Sequence, residues 1–506
     1  MEKQKKRKDV ILILLCFLAG VILFTNLGNV YLWQDEAETA VLARNTLRFG
    51  IPRAFDGTNL ITNIYSDPCR YKGWRYTPWF QFYLTALSFR LLGENTFAAR
   101  FPFAVFGLGS LILCYLLAQR LFQNILVSRL SAAFMLFSAP FFLYMRQCRW
   151  YALSVFFTLW LLISYLDLIK KKRFSAWGFM LSSIFLFYSN YGIFFPVFSA
   201  ACFHYVIFHR EGIGKIDLRK ILCYFSVIAM LTVPFLLYFT NLECGGQMTF
   251  LRTKGHLEFY VRTLNKYLFP LVFLFLSLVV FSFFKKKVFP ILGQPLGKPR
   301  LWFLPLVFIF TIVFLVFLAE ERQLRYTIHL LPLSCIIMSL LIVGWLKLNT
   351  IVAGLIFAIA CFTNSFHTGS PFTKKLWIPL KNIAYELTHD YDGPIEGIVR
   401  FLNKNARPGD TVKLIMGDYA VIFYTGLRVD NGDFAVESFP EWIIARNDWT
   451  PFKNLNAQYR RQIESRYQKI ELDYPDIMWE NRPDPGYHKF KTVAGWSNKL
   501  VVYKKR

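Results

Sequence analysis

Two adjacent carboxylates, Asp35 and Glu36, follow the first apolar run of the chain in the stretch "YLWQDEAETAVLARNTLRFG", residues 31 to 50. A positioned carboxylate can accept the proton of an attacking hydroxyl group. The same residues also fit the start of a helix, with Asp35 as N-cap and Glu38 completing a capping box. The two interpretations are compatible, because an N-cap at a membrane surface can also face a cleft.

Two later segments carry pairs of arginines. "YMRQCRWYAL" contains Arg146 and Arg149, and "AEERQLRYTIHLLP" contains Arg322 and Arg325. The spacing of three residues predicts that each pair lies on one helical face. Guanidinium groups hold phosphate oxygens in bidentate geometry, so carboxylates facing arginines suit the transfer of a group away from phosphate. The alternative is that these arginines reach lipid headgroups or pair with the two glutamates before Arg322.

The composition indicates an integral membrane protein. The chain has 506 residues, of which 55% are hydrophobic and 18% aromatic, with 54 Phe, and a soluble protein of this size could not bury that much apolar surface. The net charge of +26 does not indicate nucleic acid as a partner, because the basic residues form short clusters between apolar runs. About eleven apolar runs are long enough to cross a bilayer.

The basic clusters predict the orientation of these runs. If the basic N-terminus is cytoplasmic, the alternate loops with "KKKR" at 170–173 and "KKK" at 285–287 are cytoplasmic as well. The segments that carry the carboxylates and the arginine pairs then lie on the external side. We expect a multi-pass protein of the inner (plasma) membrane, with its active site periplasmic or extracellular.

The sequence predicts two domains. Residues 1–370 form a membrane domain with a large first external loop at 30–96, and residues 371–506 form an external, soluble α/β domain. In the α/β domain, "YHKFKTVAG" and "LVVYKK" are expected to be paired strands.

An ordered set of motifs resembles the superfamily of polyprenyl-phosphate-sugar glycosyltransferases with the GT-C fold, which includes protein O-mannosyltransferases and lipid A aminoarabinose transferases. The set consists of "WQDEAETAVLARNTLRFGIP" with "DG" at 56–57, "TPWFQFYLTALSFRLLGENTFAARFPFAVFG" at 77–107, "RQCRWYAL" at 146–153 and "RYTIHLLP" at 325–332. The resemblance covers roughly residues 10–370. It implies the polytopic α-helical GT-C fold, which agrees with the count of about eleven apolar runs. It also implies a polyprenyl-phosphate-linked sugar as donor, and a lipid, protein or glycan as acceptor.

The resemblance also implies roles for particular residues. Asp35 would be the base of an inverting displacement, and Glu36 would orient or assist it. Residues 77–93 would form an amphipathic helix on the outer membrane surface. The residues expected to bind substrate are Lys72, Arg75, Arg146, Arg149, Tyr151, Arg322, Arg325 and Tyr326.

One departure bears on a metal ion. The aminoarabinose transferases carry an acidic-Lys-Pro triplet whose acid helps to hold a metal, whereas this chain has Tyr76-Thr77-Pro78. A divalent metal is therefore possible but unsupported, and no cofactor is assigned. His256 is a possible ligand, although a single loop histidine is expected to be solvated.

Two other function classes fit a membrane protein of this kind. A transporter or flippase of lipid-linked sugars would place its charges near the bilayer midplane and show inverted repeats. A glycan ligase shares external arginines but lacks the early Asp-Glu pair. The charges of this chain cluster at one membrane face, which favours the enzyme. The sequence leaves the sugar and the acceptor open.

Overall fold

The computed structural model describes residues 9–61, 73–208, 218–239, 250–268, 271–284, 288, 299–361, 378–414, 416–430, 438–446, 455–477, 481–485, 487–492, 496 and 498–506. Helices dominate these residues. The helices are α1 (Val10–Phe24), α2 (Gln34–Phe49), α3 (Phe80–Leu92), α4 (Thr96–Phe122), α5 (Ile125–Leu136), α6 (Ala139–Met145), α7 (Tyr151–Ile169), α8 (Ser175–Ser189), α9 (Tyr191–Phe208), α10 (Leu218–Phe239), α11 (Phe250–Thr263), α12 (Leu271–Phe283), α13 (Pro299–Leu318), α14 (Leu331–Leu348), α15 (Thr350–Cys361), α16 (Ile378–Thr388), α17 (Pro394–Asn405), α18 (Asp418–Thr425) and α19 (Ala457–Arg466).

Many of these helices are apolar enough for a lipid environment. Within the described residues, four continuous helical segments are long enough to cross a membrane: α4, α7, α9 and Leu324–Leu348. A fifth is obtained if α5 and α6, which meet at a bend of 64°, form one broken span. Five further apolar helices are shorter, so the expected number of about eleven spans is not confirmed.

Contacts divide the chain into two compact units. The first consists of Met1–Thr25 and Phe103–Leu380, and the second consists of Asn26–Pro102 and Lys381–Arg506. The predicted boundary near residue 370 remains a prediction, because residues 362–377 lie outside the described ones.

The first unit is a bundle of apolar helices in which small residues permit close packing. A Cβ atom on Gly107 would come within 2.7 Å of the Met145 side chain, and one on Gly178 would come within 2.7 Å of the Ser164 hydroxyl. Close backbone approach of this kind is a common basis of helix association in membranes.

The second unit contains a five-stranded mixed sheet in the order β2-β1-β3-β5-β4. The strands are β1 (Thr411–Leu414), β2 (Arg428–Asp430), β3 (Trp442–Ala445), β4 (Tyr467–Pro475) and β5 (Lys499–Lys505). β1 is parallel to β2 and β3, whereas β5 is antiparallel to β3 and β4. The predicted α/β character of this region is confirmed.

One strand pairing predicted from the sequence is wrong. β5 contains the predicted "LVVYKK" strand, but its partners are β3 and β4. Residues 487–492 of "YHKFKTVAG" form turns and bends, and residues 493–495 lie outside the described ones.

Candidate functional site

Asp35 is the second residue of α2, and the residue at the N-cap of this helix is Trp33. The predicted N-cap role of Asp35 is therefore wrong, because the helix begins two residues earlier than predicted, at Gln34. Asp35 and Glu36 both lie in the first helical turn, where the positive end of the helix dipole stabilises a carboxylate by about 0.3–1 kcal/mol. The side chain of Asp35 is half-buried, so part of it is accessible to an approaching hydroxyl group.

Glu36 is fully buried and forms a bidentate ion pair with Arg100. Arg100 Nε donates to Glu36 Oε1 over 2.8 Å, and Arg100 Nη2 donates to Glu36 Oε2 over 2.7 Å. The same guanidinium group donates to the backbone carbonyls of Leu27 and Val30. Both carboxylate oxygens of Glu36 thus accept from a fixed cation, which favours a role in holding the segment before α2 over a role in proton transfer.

Tyr31 and Leu32, which precede Asp35, bind side chains that follow residue 390 in the chain. The Tyr31 amide donates to Glu396 Oε1 over 2.8 Å, and the Leu32 amide donates to the Tyr424 hydroxyl over 2.9 Å. Asn481 Nδ2 donates to the Tyr31 carbonyl over 2.8 Å. Burial raises the pKa of Tyr424 above its ordinary value, so its hydroxyl stays neutral.

Gln34, the residue directly before Asp35, also binds the C-terminal region. Its Nε2 donates to Asp418 Oδ1 over 2.6 Å, and its Oε1 accepts from the Gly417 amide over 2.8 Å.

Glu396 is the titratable group most affected by these contacts. It is buried near the start of α17, where its Oε1 and Oε2 accept from the amides of Tyr31 and Gly393. Burial nevertheless raises the pKa of Glu396 to about 7.

The segment before α3 shows how this chain uses the Tyr76-Thr77-Pro78 triplet. The indole of Trp74 donates to the Thr77 hydroxyl over 3.0 Å, and Gln81 Nε2 lies 3.3 Å from the same oxygen. Residues 80–92 form the expected helix, while its position on a membrane surface stays a prediction. Arg75 is half-buried beside Trp74. Lys72 lies outside the described residues.

The triplet itself offers no acidic ligand for a metal ion. Thr77 contributes a hydroxyl group that is already used by Trp74 and Gln81, where the aminoarabinose transferases contribute an acid. In the described part of the chain, no group of three or more His, Cys, Asp or Glu side chains could hold a metal ion.

Arg146 and Arg149 do not lie on a helical face as predicted. Helix α6 ends at Met145 and α7 begins at Tyr151, so both arginines lie in the turn between them. Arg146 Nη1 donates to the Ile22 carbonyl over 2.8 Å, and Arg146 Nη2 donates to the Thr25 carbonyl over 3.1 Å. Arg146 thus satisfies carbonyls at the end of α1, which is a structural role.

The second arginine pair also departs from the predicted helical face. A 3₁₀ helix, Leu324–Leu330, contains Arg325 but not Arg322. The Arg325 guanidinium lies 5.6 Å from the ring centre of Tyr326, and its Nη2 lies 4.0 Å from Glu321 Oε2, which is a weak ion pair.

The two arginine segments meet within the first unit through aromatic contacts. The ring of Trp150 stacks on the ring of Tyr326 with centres 6.4 Å apart and an interplanar angle of 4°. Trp150 also contacts the ring of Tyr151 edge to face. The structure therefore brings Arg149 and Tyr151 into the neighbourhood of Arg325 and Tyr326.

Helix α11 adds residues that the sequence analysis did not assign. A Cβ atom on Gly255 would lie 3.2 Å from Arg322 Nη1, so the absence of a side chain on Gly255 makes room for this guanidinium group. Tyr260 donates to the Glu321 carbonyl over 3.2 Å. The sequence signal that could have identified Gly255 is a glycine inside an amphipathic helix, where glycine is unfavourable by about 1 kcal/mol.

His256, also on α11, was expected to be solvated, but it is buried. It is 3% exposed, and its Nδ1 lies 2.9 Å from the Arg252 carbonyl. A carbonyl oxygen only accepts, so Nδ1 is protonated and donates this hydrogen bond. Among the described residues, Nε2 has no hydrogen-bond partner.

The carboxylates and the arginines belong to different units of the structure. Asp35, Glu36 and Arg75 lie in the second unit, whereas the two arginine pairs lie in the first. That they act on one substrate stays a prediction.

Sequence comparison identifies two partial matches. Residues 77–238 match the sequence model of the dolichyl-phosphate-mannose-protein mannosyltransferase family. An uncharacterized protein of Aquifex aeolicus (strain VF5) is 27% identical over 181 residues, which are 35% of this chain and 33% of that protein. The chain thus spans about a third of the length of this relative.

Two solved structures are similar to that of this chain. ArnT from Cupriavidus metallidurans bound to undecaprenyl phosphate is 13% identical, with a TM-score of 0.57 over 98% of both chains. The oligosaccharyltransferase AglB from Archaeoglobus fulgidus, in complex with an inhibitory peptide and a dolichol-phosphate, is 11% identical, with a TM-score of 0.54 over 91% of this chain and 69% of that one. The resemblance predicted from the sequence is confirmed for the architecture: this chain is a multi-pass membrane protein with the GT-C fold.

Proposed function

We propose that the protein is an inverting glycosyltransferase that moves a sugar from a polyprenyl-phosphate donor to an acceptor at the external face of the membrane. The donor class is supported by the similar structures, since ArnT was solved with undecaprenyl phosphate and AglB with a dolichol-phosphate. The family that matches residues 77–238 is also named for a dolichyl-phosphate-linked sugar.

One observation carries the assignment of the base. Of the two adjacent carboxylates, Glu36 is buried in the ion pair with Arg100, whereas the side chain of Asp35 is partly exposed in the first turn of α2. Asp35 is therefore the carboxylate that an acceptor hydroxyl group can reach.

The reaction is a single displacement at the anomeric carbon. The Asp35 carboxylate takes the proton of the acceptor hydroxyl group. At the same time the hydroxyl oxygen of the acceptor forms a bond to the anomeric carbon, from the face opposite the phosphate. The bond between this carbon and the phosphate oxygen breaks, and its electron pair leaves with the polyprenyl phosphate. Arg149, Arg322 and Arg325 bind the phosphate and stabilise its developing charge, with Tyr151 and Tyr326 beside them. Arg75 and Lys72 would add positive charge from the first external loop.

The test uses purified full-length protein in lipid nanodiscs with a panel of polyprenyl-phosphate sugars. Release of polyprenyl phosphate is followed by mass spectrometry, and the anomeric configuration of the product is determined by NMR. We expect Asp35→Asn to lower turnover by at least about 100-fold, with donor binding retained. Glu38→Gln, a change to another half-buried carboxylate of α2, is the matched control and should keep turnover.

Three results would contradict this proposal. The first is near-full turnover by Asp35→Asn, which would remove the base. The second is a product with the same anomeric configuration as the donor, which would exclude a single displacement. The third is movement of the intact lipid-linked sugar across the bilayer without cleavage, which would identify a flippase.

A further inference from the structure

The segment Tyr31–Gln34 leads directly into the proposed base, and side chains from the C-terminal part of the chain hold it. We infer that residues 381–506 position Asp35 and that Gln34 is the positioning residue that transmits this effect. This inference rests on the proposed function and assigns a role to the C-terminal region in the same reaction.

Gln34 is held through both polar atoms of its amide. Nε2 donates to Asp418 Oδ1 over 2.6 Å, and Oε1 accepts from the Gly417 amide over 2.8 Å. Two bonds to fixed partners restrict both the position and the rotation of the Gln34 side chain. Gln34 and Asp35 are consecutive residues, with Cα atoms about 3.8 Å apart, so this restraint acts on the first turn of α2 directly.

The partners of Gln34 follow β1, where the backbone takes a left-handed conformation. Gly417 adopts a φ of +100° and Met416 a φ of +62° in the sharp turn between β1 and α18. The Gly417 amide lies at the N-terminus of α18, after the carboxyl end of a strand that is parallel to its two neighbours. In open α/β sheets this is the position where ligands commonly bind. In this protein the amide of Gln34 takes that position.

Tyr31 and Leu32, the two residues before Trp33, are held by side chains as well. Glu396 accepts from the Tyr31 amide, Asn481 donates to the Tyr31 carbonyl, and Tyr424 accepts from the Leu32 amide. The rings of Tyr31 and Tyr424 stack with centres 4.1 Å apart. These contacts replace the backbone ladder that would hold such an extended segment in a sheet.

The start of α2 is restrained from two directions. The C-terminal region binds the residues before Asp35, and Arg100 binds the residue after it. Arg100 binds Glu36 and the Val30 carbonyl. A misplacement of a catalytic group by about 1 Å can lower a rate by about 100-fold. Removing the Gln34 contacts should therefore act on kcat and leave donor binding intact.

The experiment measures kcat and donor KM for full-length variants in nanodiscs, together with their melting temperatures. Gln34→Leu removes both contacts, and Gln34→Glu places a carboxylate against Asp418. Both are expected to lower kcat by about 10- to 100-fold without a change in donor KM. The double variant Gln34→Glu with Asp418→Asn exchanges donor and acceptor, and it should recover most of kcat.

Asn59 provides a matched control, because it also joins residues 26–102 to residues 381–506 but lies far along the chain from Asp35. Its amide also makes two contacts with the C-terminal region, because Nδ2 donates to the Leu427 carbonyl and Oδ1 accepts from the Val429 amide. Asn59→Leu should lower the melting temperature by as much as Gln34→Leu and keep kcat.

The outcomes separate this inference from the proposed function. Wild-type kcat in Gln34→Leu, alongside an inactive Asp35→Asn, overturns the positioning role and leaves the proposed base in place. A loss of kcat in Asn59→Leu as large as that in Gln34→Leu also overturns the positioning role of Gln34. Retained turnover in Asp35→Asn overturns both proposals. If Gln34→Leu does not fold, the folded double variant decides, and a failure to recover kcat overturns the inference.

Discussion

Adjacent residues at the start of α2 have different environments because successive side chains on a helix point about 100° apart. Glu36 points to the buried guanidinium group of Arg100, whereas Asp35 remains partly exposed. Adjacent residues of one chemical type can therefore have separate roles, one structural and one chemical.

The first prediction concerns the buried pair. Glu36→Gln leaves Arg100 as a buried charge without its partner, and breaking a buried pair in this way typically costs about 3–5 kcal/mol. We expect the free energy of unfolding to fall by that amount, as measured by denaturant titration in detergent. Asp35→Asn is the matched control on the neighbouring residue and should cost less than about 1 kcal/mol. Equal losses in the two variants would show that Glu36 is not the structural member of the pair.

The second prediction concerns the pH dependence of stability. Burial raises the pKa of Glu396 to about 7 from an ordinary value of 4.5. The folded state therefore keeps a proton that the unfolded state releases between these values, and stability falls as the pH rises from 4.5 to 7. The slope from one group is at most about 1.4 kcal/mol per pH unit. Melting curves of wild type and Glu396→Gln across this range test the prediction, and superimposable pH profiles would contradict it.

At the scale of elements, apolar runs predicted helices more reliably than they predicted the breaks between them. The apolar run at 151–169 coincides with helix α7. The apolar stretch at 175–209 is long enough for two spans with a break around "SNYG", and it contains α8 and α9. The break between α6 and α7 contains no Gly or Pro. It coincides with the contacts of Arg146 to the carbonyls of α1, which exist only in the folded bundle.

The sheet was predictable only in part, because its strands differ in how clearly their residues indicate a strand. β5 is rich in β-branched and aromatic residues, which sequence patterns identify. Its neighbour β4 has the sequence "YQKIELDYP" and exposes several polar side chains, so it lacks a strong apolar signal. The partner of β5 therefore could not be identified from the sequence.

The third prediction belongs to α11. Gly255→Ala places a Cβ atom 3.2 Å from Arg322 Nη1, so the guanidinium group must move. Alanine favours the helix by about 1 kcal/mol, yet donor KM should rise up to about tenfold if Arg322 binds the lipid phosphate. Gly354→Ala on α15 meets no atom within 4 Å and serves as the control with unchanged KM. An unchanged KM in Gly255→Ala would remove Arg322 from the donor site.

At the scale of the whole molecule, the units are built from segments far apart in the chain. Residues 26–102 pack with residues 381–506 as one unit, through contacts such as those of Gln34 with Asp418 and Asn59 with Leu427. Neither hydrophobic periodicity nor motif spacing encodes such pairings, because each depends on a single polar side chain. The sequence could thus identify Asp35 as a candidate base but not the residues that hold it.

The fourth prediction concerns the orientation of this unit in the membrane. Since residues 26–102 and 381–506 pack together, both must lie on the same side of the bilayer, and the basic loops predict that this side is external. Lys404 and Lys172 are both exposed, and they allow matched Lys→Cys substitutions. A membrane-impermeant thiol reagent should label Lys404→Cys in intact cells and Lys172→Cys only after lysis, each measured against wild type. Labelling of Lys172→Cys alone in intact cells would reverse the orientation and place Asp35 in the cytoplasm.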